Sequence, residues 1–324
     1  MSQKPSSSSG TLSLLRRLVT HPKFVDNHAP SLLVLTVFLL LLLSRRIDTA
    51  IVDREQEYLS MILLQLLIFL IPGLVYCKLM GSEFSARIPM QRPRPSHAVF
   101  LLSALLIMIT GCLLIGIHTG GLAANERGFS LYETFTADIS SSAGVVLFQL
   151  LAFAALPALC EEFVFRGVLL NALSKRGTVA AFAFSSLYFA MLHFDFAQLP
   201  VYLFSGVLLC VVFRITRSLP SVILVHFLYN VFGLFGQSAM ARFYAYSGND
   251  AMFRFILATL LLIGAALFCS EASRIYHRYA VEALPPPDVP SVPWRALPNV
   301  LVRTLFPVAG IACVLLYIAV TLFA

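Results

Sequence analysis

Leu156-Pro157-Ala158-Leu159-Cys160-Glu161-Glu162-Phe163-Val164-Phe165-Arg166-Gly167 sets two adjacent carboxylates and a guanidinium inside an otherwise apolar segment of membrane-spanning length. A charged side chain at the centre of a bilayer costs roughly 2.5–3.5 kcal/mol on insertion scales unless it is paired or hydrated. Three of them within little more than one helical turn therefore call for partners or for a function. Elsewhere the chain keeps its charges mostly in short polar gaps between apolar runs.

The surrounding composition sets the class. The 324 residues are 59% hydrophobic and 12% charged, with a mean hydropathy of +0.85, which predicts an all-α polytopic membrane helix bundle and excludes a soluble core. Apolar runs near the ~20 residues that cross a bilayer lie at 31–44, 60–80, 98–118, 144–170, 178–196, 199–215, 219–235, 253–270 and 300–323. They predict about eight to nine membrane-spanning helices. Four regions follow: a polar cytoplasmic N-terminal segment at 1–30, N-terminal membrane helices at 31–140, a core at 141–240 with the polar motifs, and C-terminal membrane helices at 241–324. A Pro-rich, extended linker at 284–293 precedes the last span.

The net charge of +7 reads as a topology signal. With the N-terminus in the cytoplasm, 16 of the 23 Lys and Arg fall on the cytoplasmic side and six outside, with Arg45 and Arg46 the pair that fits the rule least. The basic residues are dispersed among loops, so no nucleic-acid partner is implied; the lipid bilayer is the expected environment. Residues 1–30 do not resemble a cleavable signal peptide, and the first span reads as a retained anchor. Cys77, Cys112, Cys160, Cys210, Cys269 and Cys313 show neither Cys-x-x-Cys nor metal-ligand spacing and read as small buried apolar residues without disulfides. Gly116 and Gly120 form a lone small-xxx-small pair that reads as ordinary helix packing.

Helical geometry sorts the charged trio. Glu162 and Arg166, four apart, share a face and can pair, whereas Glu161 lies about 100° around the helix and is left free for another task, such as general base. The alternative is a structural ion pair with a snorkelling carboxylate. Two further spans carry polar groups at the same spacing: Phe189-x-x-x-His193 on the fifth and His226-x-x-x-Asn230 on the seventh. Each pair alone is compatible with interhelical hydrogen bonding. Together, inward-facing polar groups on three spans within about seventy residues predict a shared cavity.

These three motifs, in this order, resemble the CPBP family of intramembrane proteases, also called the Abi or type II CAAX prenyl endopeptidase family. The resemblance covers about 144–235, a core of four helices; residues 1–140 and 240–324 carry no motif that matches. It implies that Glu161 and His193 activate a water for attack on a peptide carbonyl, that His226 and Asn230 hold the oxyanion, and that Glu162, Arg166 and Phe189 support them. The function expected is an intramembrane endopeptidase acting on a protein or peptide substrate at the membrane through a glutamate- and histidine-activated water. Amide hydrolysis needs a base for the water and donors aimed at the developing oxyanion, and these residue types supply both.

No resident cofactor is expected. A zinc-dependent form of the same protease is the alternative chemistry, because two histidines and a glutamate can make an open zinc site; against it, His-Glu-x-x-His is absent. The remaining histidines, His21, His28, His97, His118 and His277, read as solvated or interfacial. Aspartyl and serine intramembrane motifs, Walker A and Rossmann glycine patterns are missing. A non-catalytic membrane scaffold or a proton-coupled transporter is the competing class, although the two related halves usual in transporters are not evident. The short loops suit a multi-pass protein of a bacterial plasma membrane rather than of the endoplasmic reticulum. Oligomeric state and substrate identity are not legible in the residues.

Overall fold

The structure is a computed structural model, and it describes residues 22–45, 57–119, 143–285 and 289–323. Among these residues every regular element is helical. The protein is a polytopic bundle: α1 (Pro22–Ser44), α2 (57–80), α3 (Ala98–Thr119), α4 (143–174), α5 (Thr178–Met191), α6 (Leu199–Thr216), α7 (Leu219–Phe235), α8 (Gln237–Ser247), α9 (Asp250–Val281), α10 (Leu297–Leu305) and α11 (Val308–Phe323). Six of them contain segments long and apolar enough to cross a membrane: Asn27–Ser44, Leu59–Met80, Pro95–Thr119, Val146–Ser174, Leu199–Thr216 and Asp250–Val281. The helices α5 and α7 are apolar but shorter, and α10 with α11 qualifies only as a pair bent by 73°.

Four of the expected spans differ in their bounds: the first helix begins at Pro22, inside the segment read as polar, rather than at residue 31. The fifth was expected to reach residue 196, but α5 ends at Met191. Phe194 takes a left-handed backbone (φ 49), and the Asp195 carboxylate accepts the Gln198 N–H at 3.0 Å, so the chain turns there into α6. The eighth runs over Asp250–Val281 rather than 253–270, capped by the Asn249 side chain, which accepts from the Met252 N–H. The ninth is not one rod. Pro307 has no N–H and disfavours helix at the residue before it, and the chain bends between Leu305 and Val308. The polar helix α8 falls where a loop was expected. Residues 1–21, Arg46, Gly120 and part of the Pro-rich linker lie outside the described residues.

Two long helices widen locally into π turns. In α2 these cover Leu66–Leu70, and the Ile71 N–H bonds to the Leu66 carbonyl; in α4 they cover Leu150–Ala155, and the Leu156 N–H bonds to the Leu151 carbonyl. Each π segment ends just before a proline, Pro72 or Pro157. A proline ring collides with the carbonyl one turn back, and an extra residue per turn relieves the collision without leaving backbone groups unpaired in the hydrocarbon. A third π segment, Phe163–Leu169, begins directly after Glu162. Glu161 and Glu162 therefore end an ordinary α turn, Leu156–Glu162, held between two widened segments, and Arg166 lies on the second of these.

Two apolar cores hold the bundle. One joins α1, α2, α4, α5 and α11 around Phe38, Phe69, Phe165 and Tyr188; the other joins α3, α6, α7 and α9 around Phe100, Met108, Leu209 and Val225. The helices α4 to α7 lie between them. The start of α7 is pinned from several sides: the Ser218 hydroxyl donates to the Gln91 carbonyl at 2.6 Å, and the Leu219 N–H donates to the Pro89 carbonyl at 2.8 Å. Tyr279 of α9 donates its hydroxyl to the Ile215 and Thr216 carbonyls, with the Arg217 guanidinium 4.3 Å from its ring centroid. His97, expected to be solvated or interfacial, is instead buried at the head of α3 near the Tyr279 ring. Cys269 is exposed, contrary to expectation, and the other five cysteines are buried and free.

The α5–α6 contact that positions the site is a close one. A Cβ at Gly206 would meet the Ser186 Cα at 3.2 Å and the Phe189 ring at 3.3 Å. Glycine is required by this close approach of backbone to backbone, which a branched side chain would wedge apart. Gly206→Val is expected to destabilise the protein by about 1–3 kcal/mol, read as a fall of several degrees in the thermal midpoint in detergent; an unchanged midpoint would mean that the two helices are not held at this spacing.

Candidate active site

Glu162 is the organising residue. Its side chain is fully buried, and Oε1 accepts two hydrogen bonds of 2.7 Å, one from Arg166 Nη1 on its own helix and one from His226 Nδ1 on α7. Arg166, also fully buried, donates from Nη2 to the Gly206 carbonyl of α6 at 3.0 Å. Its guanidinium carbon lies 4.4 Å from the centroid of the Phe189 ring of α5. One carboxylate and one guanidinium thus tie α4 to α5, α6 and α7. The spacing of four between Glu162 and Arg166, as the sequence predicts, sets both on one face.

Phe189 is a hub. One face of its ring carries the Arg166 cation, a favourable contact when desolvated, and edge contacts reach Phe165 (5.5 Å), His193 (5.4 Å) and His226 (5.9 Å). His193 was expected on the face of the fifth helix, but it sits just past the end of α5, in the turn that follows. Its Nδ1 bonds to the Phe189 carbonyl at 3.1 Å. Since a carbonyl only accepts, Nδ1 carries the proton and Nε2 is left with a lone pair. The same reasoning makes His226 Nδ1 the donor to the Glu162 carboxylate and leaves its Nε2 uncommitted.

Glu161 points elsewhere. It is 9% exposed, and its carboxylate makes no hydrogen bond or ion pair with another described residue. It lies within electrostatic reach of His226, Glu162 and Arg166, and also of Tyr202. His193 and His226 are within similar reach of each other. Asn230, one turn beyond His226, donates from Nδ2 to the Ala154 carbonyl at 3.4 Å, so it is held against the π turns of α4 with its other amide proton uncommitted among the described residues. The structure therefore gathers Glu161, Glu162, Arg166, Phe189, His193 and His226 into one neighbourhood, with Asn230 at its edge along α7. Among the described residues no group of three or more His, Cys, Asp or Glu side chains is arranged to hold a metal ion.

Residues 143–232 match the family described as type II CAAX prenyl endopeptidase Rce1-like. The match begins at the first residue of α4 and ends within α7, so this Rce1-like domain spans the four helices that carry the cluster. The match agrees with the resemblance carried by the three motifs. No match was found among curated proteins or among solved structures.

Two contributors are absent from the motifs. Tyr202 of α6 stacks on His193 with ring centroids 3.6 Å apart and planes 10° apart, and Gly206 supplies the carbonyl that receives Arg166. Neither is visible in linear spacing. The Tyr202–His193 contact depends on the turn between α5 and α6, and a glycine in an apolar helix carries no sign that its carbonyl is used. A lone tyrosine in the sixth span was the available signal.

A buried pair broken on one side leaves an uncompensated charge, at a cost of about 3–5 kcal/mol. Arg166→Met is expected to lose stability on that scale in chemical unfolding of the detergent-solubilised protein. The double variant Glu162→Leu with Arg166→Met is expected to recover part of it, because both desolvated charges are then removed. A double variant as unstable as the sum of its single variants would mean that the two side chains are not coupled.

Proposed function

We propose that the Rce1-like domain hydrolyses a peptide bond of a membrane-associated protein or peptide substrate, with Glu161 as general base and no metal. The observation that carries this reading is the contrast between two adjacent buried carboxylates. Glu162 is engaged through Oε1 by both Arg166 and His226, whereas Glu161, next to it in sequence, has no hydrogen bond to another described residue. A carboxylate left unpaired in a buried polar cluster is suited to exchange a proton with a bound water.

In this reading a water donates one hydrogen bond to Glu161 and another to the lone pair on His193 Nε2. Glu161 takes the proton as the water oxygen bonds to the substrate carbonyl carbon. The carbonyl oxygen becomes the oxyanion of a tetrahedral intermediate, received by donors on α7: the uncommitted Asn230 amide proton and His226. With Nδ1 committed to Glu162, His226 donates from Nε2 only when the ring carries both protons, and the Glu162 carboxylate supplies the counter-charge for that state. The intermediate then collapses, the C–N bond breaks, and the proton held by Glu161 passes to the leaving amine, so base and acid are one residue used twice. Tyr202 and the Phe189 carbonyl fix the His193 ring between them.

Glu161→Gln in proteoliposomes carrying a membrane-anchored reporter protein is expected to abolish cleavage, read by mass spectrometry of the fragments. The thermal midpoint should stay within a degree or two of the parent, because the carboxylate makes no structural bond; turnover at the parental rate would remove Glu161 from the mechanism. Chelator treatment is expected to leave the rate unchanged, and a loss restored by zinc would favour the metal-dependent form. Tyr202→Leu, which frees the His193 ring, is expected to lower the rate about tenfold or more while Tyr202→Phe retains it, since positioning depends on the stacked ring. Equal rates in both variants would show that the stack has no part in the reaction.

A further inference from the structure

The segment from Trp294 to Phe306 has a geometry that peptide hydrolysis does not use. The linker before it is anchored on the turn between α4 and α5: a Cβ built on Gly177 would lie 2.6 Å from the Val292 side chain and 3.4 Å from the Pro290 carbonyl oxygen. That turn also carries Lys175 and Arg176. After the segment, α11 packs along α1, whereas α10 packs on α5. Gly310 lies against Tyr188, where a Cβ would be 2.9 Å from the hydroxyl, and the Tyr317 hydroxyl donates to the Asp195 carbonyl at 3.2 Å. The last helix thus runs with α1, and α10 is bent from it by 73°.

The side chains of α10 divide into three sectors. Leu297, Leu301 and Thr304 turn toward the protein, with Thr304 buried and Leu301 packed on the core. Pro298, Val302 and Phe306, four apart, form an exposed apolar stripe; Val302 is 52% and Phe306 60% exposed. Beside it, Asn299 and Arg303, also four apart, form an exposed polar stripe. Trp294, 81% exposed, and the exposed Arg295 stand just ahead of the helix. Neither Arg295 nor Arg303 forms an ion pair among the described residues.

Depth decides between two placements. Were α10 the first part of a span, Arg303 would lie about 13 Å deeper than Trp294 and face lipid, at a cost of roughly 2.5–3.5 kcal/mol. Laid flat, the same helix sets its apolar stripe into the acyl boundary and leaves its arginine among headgroups, the arrangement of interfacial amphipathic helices. An exposed tryptophan beside an arginine is likewise suited to the headgroup level.

We infer that α10 lies in the plane of the membrane as an interfacial anchor, docked on anionic phospholipid headgroups through Arg295 and Arg303 and on the acyl boundary through Trp294, Val302 and Phe306. The two arginines give the surface its charge complementarity to acidic lipid, and the inward sector keeps the anchor packed on the bundle. The anchor is independent of whether the protein cleaves anything.

Trp294 is the single tryptophan of the chain, so its fluorescence reports on this segment alone. In vesicles containing lipids brominated either just below the headgroup or deep in the chain, Trp294 is expected to be quenched most by the shallow bromines. The paired variant Trp294→Phe with Phe306→Trp moves the reporter to the far end of α10 and is expected to give the same shallow maximum. A deep maximum at the far end would overturn the proposal in favour of a broken span, and protection from both lipids with free quenching by aqueous acrylamide would place the segment in water. For the headgroup contacts, the parental thermal midpoint is expected to be higher in vesicles of phosphatidylcholine with phosphatidylglycerol than in phosphatidylcholine alone. Replacing Arg295 and Arg303 by Gln is expected to remove at least half of that rise; an undiminished rise would overturn the assignment of acidic lipid to this surface.

Discussion

At the centre of the bundle one oxygen atom, Oε1 of Glu162, receives hydrogen bonds from a guanidinium on its own helix and from an imidazole on α7. In hydrocarbon none of these groups is tolerable alone: an isolated charge at bilayer depth costs several kcal/mol, whereas a paired and hydrogen-bonded one costs far less. The remaining donor of Arg166 that finds a partner reaches the backbone of α6. Satisfying this one buried pair therefore fixes the relative placement of four helices. The Glu162 Oε2 and Arg166 Nε atoms have no hydrogen-bond partner among the described residues.

Once that network is in place, the chemistry nearby follows from what it leaves over. The ring of Phe189 is clamped under Arg166 and touches both histidines at its edges. Each imidazole spends its Nδ1 proton on a structural acceptor, a backbone carbonyl for His193 and a carboxylate for His226, so each keeps Nε2 for other use. Glu161 is excluded from the network by the geometry of the helix that presents it. A buried, mutually bonded set of groups thereby supports the few that are left free for other use, which is the arrangement that preorganised sites require.

The backbone around the network is shaped by prolines and glycines more than by side-chain polarity. The π turns ahead of Pro157 and after Glu162 bracket the charged turn, and π turns are frequent at functional sites. Gly206 allows α6 to approach α5 closely enough for its carbonyl to receive Arg166. At the other end of the chain, Pro307 separates α10 from α11, and the two helices are bent by 73°.

The residues in order were enough to establish the membrane class, the approximate place of every apolar helix, and the segregation of Glu162 with Arg166 from Glu161, because bilayer thickness and helical period act on local sequence alone. The three polar motifs were legible for the same reason, being pairs four apart on single helices. What linear spacing could not contain is where helices stop and which of them meet. The end of α5 at Met191, which moves His193 from a helix face into a turn, depends on a left-handed Phe194 and an Asp195 cap. The burial of His97 depends on α9 packing over α3, and the Tyr202 stack and the Gly206 carbonyl depend on α6 folding back along α5. These are contacts between segments distant in the chain, and only tertiary packing, with its demand that every buried polar group find a partner, decides them.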